Sequence, residues 1–256
     1  MGRVINRPIA EARNLTYAHA GDDTPSLRNV NLEFAPGEFV VIIGASGCGK
    51  STLLRCLAGI SPHMTPGEMS GSVLIDGTDT RDQELYEIAQ SVGFVSQNPT
   101  DQIFSLTAED EVAFRPENLG LSREEISERV RSSLEMVGLI DRARALTLTM
   151  SGGEKQRLVI ASCLALRPQM LLFDEPTTDL DPETKETVID QLRSVGNLTI
   201  VIAEHAIGEI VQHADRVIVM SDGEVVLDDR PEVVLGQNAR LLRGLGLRMP
   251  GHIRAA

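Results

Sequence analysis

Gly44-Ala45-Ser46-Gly47-Cys48-Gly49-Lys50-Ser51-Thr52 satisfies G-x-x-x-x-G-K-[ST] and follows the apolar run Phe39 to Ile43, so the sequence reads as a strand feeding a phosphate-binding loop. Gly44, Gly47 and Gly49 let the backbone bend until successive N–H groups converge on phosphate oxygens. Lys50 supplies a mobile positive charge for the β- and γ-phosphates. The Ser51 hydroxyl is a ligand for Mg²⁺, and the following helix offers its positive end to the anion. A glycine-rich turn without chemical purpose is the alternative. Agreement with the whole pattern, between a strand and Leu53-Leu54-Arg55-Cys56-Leu57, disfavours it.

A second apolar run, Met170-Leu171-Leu172-Phe173, ends in Asp174-Glu175-Pro176, which puts two carboxylates at the carboxyl edge of a buried parallel strand, where phosphate loops also emerge. Asp174 suits Mg²⁺, held through its water shell, and Glu175 suits polarising a water for in-line attack on the γ-phosphorus. Alone, such a strand end is as readily a helix cap or a surface turn; the phosphate loop in the same chain makes that the weaker reading. Between the two motifs, Met150-Ser151-Gly152-Gly153-Glu154-Lys155-Gln156-Arg157 opens an apolar-periodic pattern running to about Arg167 and stopped by Pro168. Ser151 and Glu154 have capping-box spacing. A cap does not need Gly152-Gly153, each costing a helix about 1 kcal/mol against alanine, whereas backbone that must approach a ligand does. Ser151, Gly152, Gly153 and Glu154 therefore read as a second helix terminus for an anion.

These residues require a sheet whose strands end together and helices that begin there. Ala12 to Tyr17 and Leu27 to Phe34 are expected strands ahead of the loop strand, and Gly71 to Gly77 another with a tight turn, together a small β subdomain. From about Pro99 to Leu148 the pattern is helical, with Ser122 and Glu125 spaced as a capping box at the start of Arg123 to Val137. Aromatic residues are 3% of the chain and Trp is absent, so the core must be aliphatic, as suits a parallel sheet of Val, Ile and Leu runs between helices. The expected class is α/β. Three cysteines without Cys-x-x-Cys spacing, Cys48 among them, argue for reduced thiols and give no sign of a metal site. No signal peptide is expected, and no apolar run approaches the ~20 residues of a membrane helix. The formal charge of −13, from 24 basic and 37 acidic residues, disfavours nucleic acid as the main partner. After Glu232 the sign reverses, with Arg240, Arg243, Arg248 and Arg254, and residues 237–256 are expected to be a solvated basic tail or a linker.

Taken in order, the phosphate loop, Ser-Gly-Gly-Glu-Lys-Gln-Arg, Leu-Leu-Phe-Asp-Glu-Pro-Thr and Asp179-Leu180-Asp181-Pro182 resemble the ATP-binding cassette (ABC) ATPases over nearly the whole chain, from about Ala12 to Gly236. The resemblance implies one cassette over residues 1–236: a P-loop NTPase (RecA-like) core, a small antiparallel β subdomain and an inserted helical subdomain at about 99–148, with ATP and Mg²⁺ as cofactors. By the same resemblance Tyr17 matches the aromatic that stacks on adenine, and Gln97 the Q-loop glutamine that reaches Mg²⁺ or the attacking water. His205 matches the switch histidine that bonds the γ-phosphate and orients Glu175, and Asp181 belongs to the D-loop. Ser151 to Glu154 would close over ATP held by a second cassette, so that a head-to-tail pair shares two nucleotides. Met150 and Glu154 stand where the family most often has Leu and Gln, and His205 lies between Glu204 and Ala206 rather than Thr and Asp. A working signature is expected nonetheless.

Gln97 to Phe104 and Asp110 to Leu121 are similar to the ATPase subunits of energy-coupling factor (ECF) importers, with Arg115 where those usually carry Gly; Ser61 to Glu68 looks like the longer loop of tandem-cassette members. The resemblance implies a motor for uptake of a vitamin or transition-metal ion, peripheral on the cytoplasmic face of the membrane. Its partners would be a second cassette, a transmembrane coupling subunit and a substrate-binding membrane subunit. Glu109-Asp110-Glu111 would receive arginines of coupling helices, or else only stabilise a helix start after Thr107. Two other readings are a soluble cassette ATPase without solute movement and a nucleotide-gated module that does not turn over. Gln97 and Glu117-Asn118-Leu119 oppose the first; Lys50, Asp174, Glu175 and His205 oppose the second.

Overall fold

In β2 (Leu27–Phe34) Leu27, Val30, Leu32 and Phe34 are buried while the residues between them are exposed, the alternation of a half-buried antiparallel strand. It pairs with β1 (Ala10–His19), β1 with β4 (Gly67–Ile75), and β4 with the two-residue β5 (Thr78–Asp79), all antiparallel. β3 (Phe39–Ile43) shows the opposite signature. It is buried at every position, and its neighbours β8 (Thr199–Glu204) and β9 (Arg216–Ser221) both run parallel to it, with β10 (Glu224–Asp229) antiparallel to β9. The computed structural model describes residues 7–175, 182–205 and 207–247. They fall into two compact units, the first built from residues 7–89, 199–205 and 207–247 and the second from 90–175 and 182–198.

In the first unit α1 (Lys50–Leu57) leaves β3 through the phosphate loop and buries Leu53, Leu54, Cys56 and Leu57. The short helices α2 (Ile60–His63) and α3 (Leu85–Ser91) follow. At its carboxyl end the segment expected as a solvated tail is folded: α8 (Ala239–Gly244) forms, with Leu242 fully buried and Leu247 only 3% exposed. Leu235 and Leu242, two helical turns apart in sequence, supply the apolar anchors, while Arg240 and Arg243 stay exposed. Arg248 and Arg254 lie outside the described residues.

The second unit holds a parallel strand pair, β6 (Val92–Val95) with β7 (Met170–Asp174), in the register Val92↔Met170 through Val95↔Phe173. Gly93 permits that closeness. A Cβ there would stand 2.5 Å from Leu171 Cδ2 and 3.1 Å from Cys163 Cβ. The helices are α4 (Ala108–Asn118), α5 (Arg123–Met136), α6 (Gly152–Leu164) and α7 (Pro182–Ser194). α5 begins at the expected cap, with Ser122 Oγ accepting from Glu125 N, but the reciprocal half of the box is replaced: the Glu125 carboxylate takes Arg129, four residues on, at 2.7 Å. α6 stops at Leu164, short of the expected Arg167, which adopts a left-handed φ of 55° that ends helical continuation before Pro168.

Candidate nucleotide site

The phosphate loop leaves β3 as the strand pattern demanded. Gly49, with φ 106°, directly precedes α1, and no side chain caps that helix. The amino end of such a helix offers backbone N–H groups and the positive end of its dipole, which suit a polyphosphate. Gly44 has no room for a side chain, since a Cβ would lie 2.5 Å from both Met220 O and Cys48 Sγ. Lys50 is 4% exposed, and its Nζ donates to Gly44 O at 2.8 Å and Ala45 O at 3.2 Å, so the loop curls about its ammonium. Ala45, Ser46, Gly47, Ser51 and Thr52 complete the loop and the first turn. Burial pushes the Cys48 thiol up from its ordinary value, against the pull of Lys50, and makes it an inert neighbour rather than a nucleophile. Ile43↔Glu204 is the last pair between β3 and β8, so Gly44 and His205 leave the sheet at the same edge, and His205 is exposed there.

Tyr17 does not stand where the resemblance placed it. Its ring is fully buried, its hydroxyl donates to Thr65 O at 2.8 Å, and it presents no face to a base. The partly exposed aromatic beside the loop is His19, two residues further along β1, whose Nε2 lies 3.3 Å from Thr52 Oγ1 and whose ring meets Tyr17 edge to face at 5.1 Å. The signal was present in the sequence: Leu15, Tyr17 and His19 share one strand face, and the last of them reaches the end of β1.

In the second unit the parallel register brings Gln97 and Glu175 together. Gln97 Nε2 donates to Glu175 Oε2 at 3.1 Å. Glu175 sits in the left-handed region, φ 50°, a conformation in which a non-glycine residue is strained and which clusters at functional sites. Asp174, at the end of β7, is 4% exposed. Within this unit the Asp174 carboxylate and the Gln97 amide oxygen, and in the first unit by itself the Ser51 hydroxyl, are hard oxygen donors of the type Mg²⁺ takes. Asp181 lies outside the described residues.

α6 starts with the complete capping box: Ser151 Oγ accepts from Glu154 N at 3.2 Å and Glu154 Oε2 accepts from Ser151 N at 2.8 Å. Glu154 Oε1 also lies 3.3 Å from Arg142 Nε. The Ser151 N–H, aided by Arg142 and Arg157 against burial, holds the Glu154 carboxyl below its ordinary value.

The acidic run divides. Thr107 caps α4, as the plainer account required, and Asp110 bonds the Thr107 hydroxyl. Glu111 is 3% exposed and accepts from Phe104 N at 3.1 Å and Ser105 N at 2.9 Å, so it is a structural acid that a docking partner does not reach. Glu109 and Asp110 instead line a groove of about 510 Å³ between α4 and α5. Among the described residues no helix is long and apolar enough to cross a membrane.

Residues 27–178 match the family model described as ABC transporter. The chain is 43% identical over 246 residues to the energy-coupling factor transporter ATP-binding protein EcfA of Methanothermobacter thermautotrophicus, covering 94% of this chain and 77% of that one. It is 44% identical over 223 residues to an ABC transporter ATP-binding protein of Methanosarcina acetivorans, of which it spans only 35% of the length. Among solved structures, cbiO1 from Clostridium perfringens, part of the ABC transporter complex cbiONQ, superposes with a TM-score of 0.80 at 31% identity, over 95% of this chain and 96% of that one. A dimeric ATP-binding cassette in a post-hydrolysis state bound to ADP and Pi gives a TM-score of 0.75 at 31% identity, over 87% and 98%.

Proposed function

This chain belongs to the ABC transporter family, and from that premise we infer that it is the ATP-hydrolysing motor of an importer of the energy-coupling factor type, serving uptake of a vitamin or a transition-metal ion. The observation that carries the hydrolytic part is the Gln97–Glu175 hydrogen bond, which gives the acid placed to polarise water a partner on the segment expected to sense a membrane subunit. The relatives that bear the ECF and cbiO1 descriptions support the importer class.

The N–H groups of the Gly44 to Thr52 segment and the Lys50 ammonium hold the β- and γ-phosphates, and the imidazole of His19 replaces Tyr17 as the platform for the base. Ser51, Asp174 and Gln97 would hold Mg²⁺, which would supply positive charge against the phosphates. Glu175 accepts a proton from the attacking water, and His205 bonds the γ-phosphate. Ser151, Gly152 and Gly153 meet the nucleotide of a second cassette, identical or homologous. The chain sits peripherally on the cytoplasmic face of the membrane, where a transmembrane coupling subunit and a substrate-binding membrane subunit complete the assembly, with the Glu109 and Asp110 groove as a contact for basic helices.

Glu175→Gln tests this reading. It should keep ATP binding and lower turnover of the assembled complex on the order of 10²–10⁴-fold, the usual contribution of a positioned general base. Near-normal hydrolysis would remove Glu175 from the mechanism.

A further inference from the structure

Glu154 places a carboxylate on a helix terminus that the proposed function, on which this inference rests, gives to a phosphate. Two anions in one seat repel, and the helix end can favour only so much negative charge. The first turn of α6 is nevertheless acidic at its third position, where Glu154 Oε2 already takes the Ser151 N–H at 2.8 Å. The other carboxylate oxygen faces a cation from outside the helix: Arg142 Nε at 3.3 Å, carried on the 3₁₀ turn Ile140–Arg142. Arg142 is 46% exposed and Glu154 22%, so the pair stands at the surface the nucleotide would approach rather than in the core.

We propose that Arg142 is a positioning residue for the signature loop, neutralising Glu154 and holding its carboxylate in the capping position on the Ser151 N–H, so that the Ser151 hydroxyl and the Gly152 and Gly153 N–H groups can donate to the γ-phosphate of a neighbouring cassette. The role belongs to the acid as much as to the arginine. With an amide at position 154 no charge opposes the phosphate, and Arg142 has nothing to neutralise. A direct bond from Arg142 to the nucleotide makes the contrary prediction, because such a bond would matter whichever residue occupies position 154.

The experiment is a double-mutant cycle, Arg142→Ala and Glu154→Gln singly and together, reading steady-state ATP hydrolysis of the assembled complex and ATP-induced association of its cassettes by light scattering. Arg142→Ala alone should raise the KM for ATP in hydrolysis and the ATP concentration for half-maximal association about two- to fivefold, the range of a half-exposed ion pair, while ATP binding to the unassociated chain stays unchanged. Arg142→Lys, which keeps the charge, should restore most of that loss. In the Glu154→Gln background Arg142→Ala should have no further effect, and the wild-type penalty should shrink as salt rises. An equal Arg142→Ala effect in both backgrounds, or none in either, would overturn the proposal. Wild-type turnover measured alongside reports on the function itself. If it is present while the two sites fail to couple, only the role of Arg142 falls; if it is absent, the function falls with it.

Discussion

Gly47 and Gly49 lie two residues apart in one loop and should respond differently to the same substitution. Both have positive φ, 79° and 106°, so alanine at either costs the left-handed strain of an L-residue, about 1–2 kcal/mol. They differ in surroundings. Nothing lies within 4 Å of a Cβ built at Gly47, whereas one at Gly49 would stand 2.6 Å from Ser26 O and 3.0 Å from Leu27 Cδ2. Ser26 O is backbone and cannot swing away, so overpacking adds about 1–3 kcal/mol. Gly47→Ala should therefore destabilise by about 1–2 kcal/mol and Gly49→Ala by about 2–5 kcal/mol. At roughly 2–4 °C per kcal/mol for a chain of this size, that separates the two by several degrees in a calorimetric scan. Equal losses in the two variants, or a larger loss at Gly47, would refute the claim that the backbone of Ser26 and Leu27 limits this loop.

Three further outcomes follow from the site. His19→Ala should weaken nucleotide binding by about 1–3 kcal/mol, the worth of a base stack, while Tyr17→Phe should leave affinity alone and cost about 0.5–1.5 kcal/mol of stability through the lost bond to Thr65; titration calorimetry and thermal melts read the two, and reversed assignments would restore Tyr17 as the platform. Glu154 has its carboxyl held below the ordinary 4.5, so its contribution is present above that value and lost as pH falls through the folded value. The advantage of wild type over Glu154→Gln in melts should accordingly be steady near neutrality and shrink below about pH 4.5; an advantage that grows on acidification would contradict the sign. Glu111→Ala strands two backbone N–H groups and should destabilise the chain by about 1–3 kcal/mol for each, whereas Asp110→Ala loses only a cap contact worth about 1 kcal/mol; chemical denaturation showing equal costs would mean Glu111 is not structural.

The parts of the fold read correctly from sequence were those in which local pattern and tertiary demand coincide. Phe39 to Ile43 is apolar because both faces of β3 are covered, and the Ser151 to Glu154 spacing specifies two bonds that need no distant partner. Where the decision rested with a distant group, local spacing misled. Ser122 and Glu125 have the right separation, yet Arg129 offered the Glu125 carboxylate a charge-assisted bond that outcompetes a neutral N–H. Tyr17 had the right residue type in the right strand, but burial depends on where β1 ends, and boundaries are what periodicity resolves least well. The basic carboxyl-terminal segment was read from its charges, although its conformation follows from the buried Leu235, Leu242 and Leu247. Arg142 carries no motif at all, and only the tertiary placement of its turn against α6 reveals it.

The register of β6 against β7 has a consequence for what this chain can tolerate in length. Val95 pairs with Phe173, and Gln97 and Glu175 each follow their partner by two residues. The amide and the acid are thus brought within reach by counting along two parallel rails, not by the give of a loop. Inserting or deleting one residue in either two-step overhang displaces its functional group along the chain by about 3 Å, out of hydrogen-bond reach of the other. Indels elsewhere in the long helical insertion leave that count untouched. The 78-residue separation between Gln97 and Glu175 is free to drift, but the two short overhangs are not.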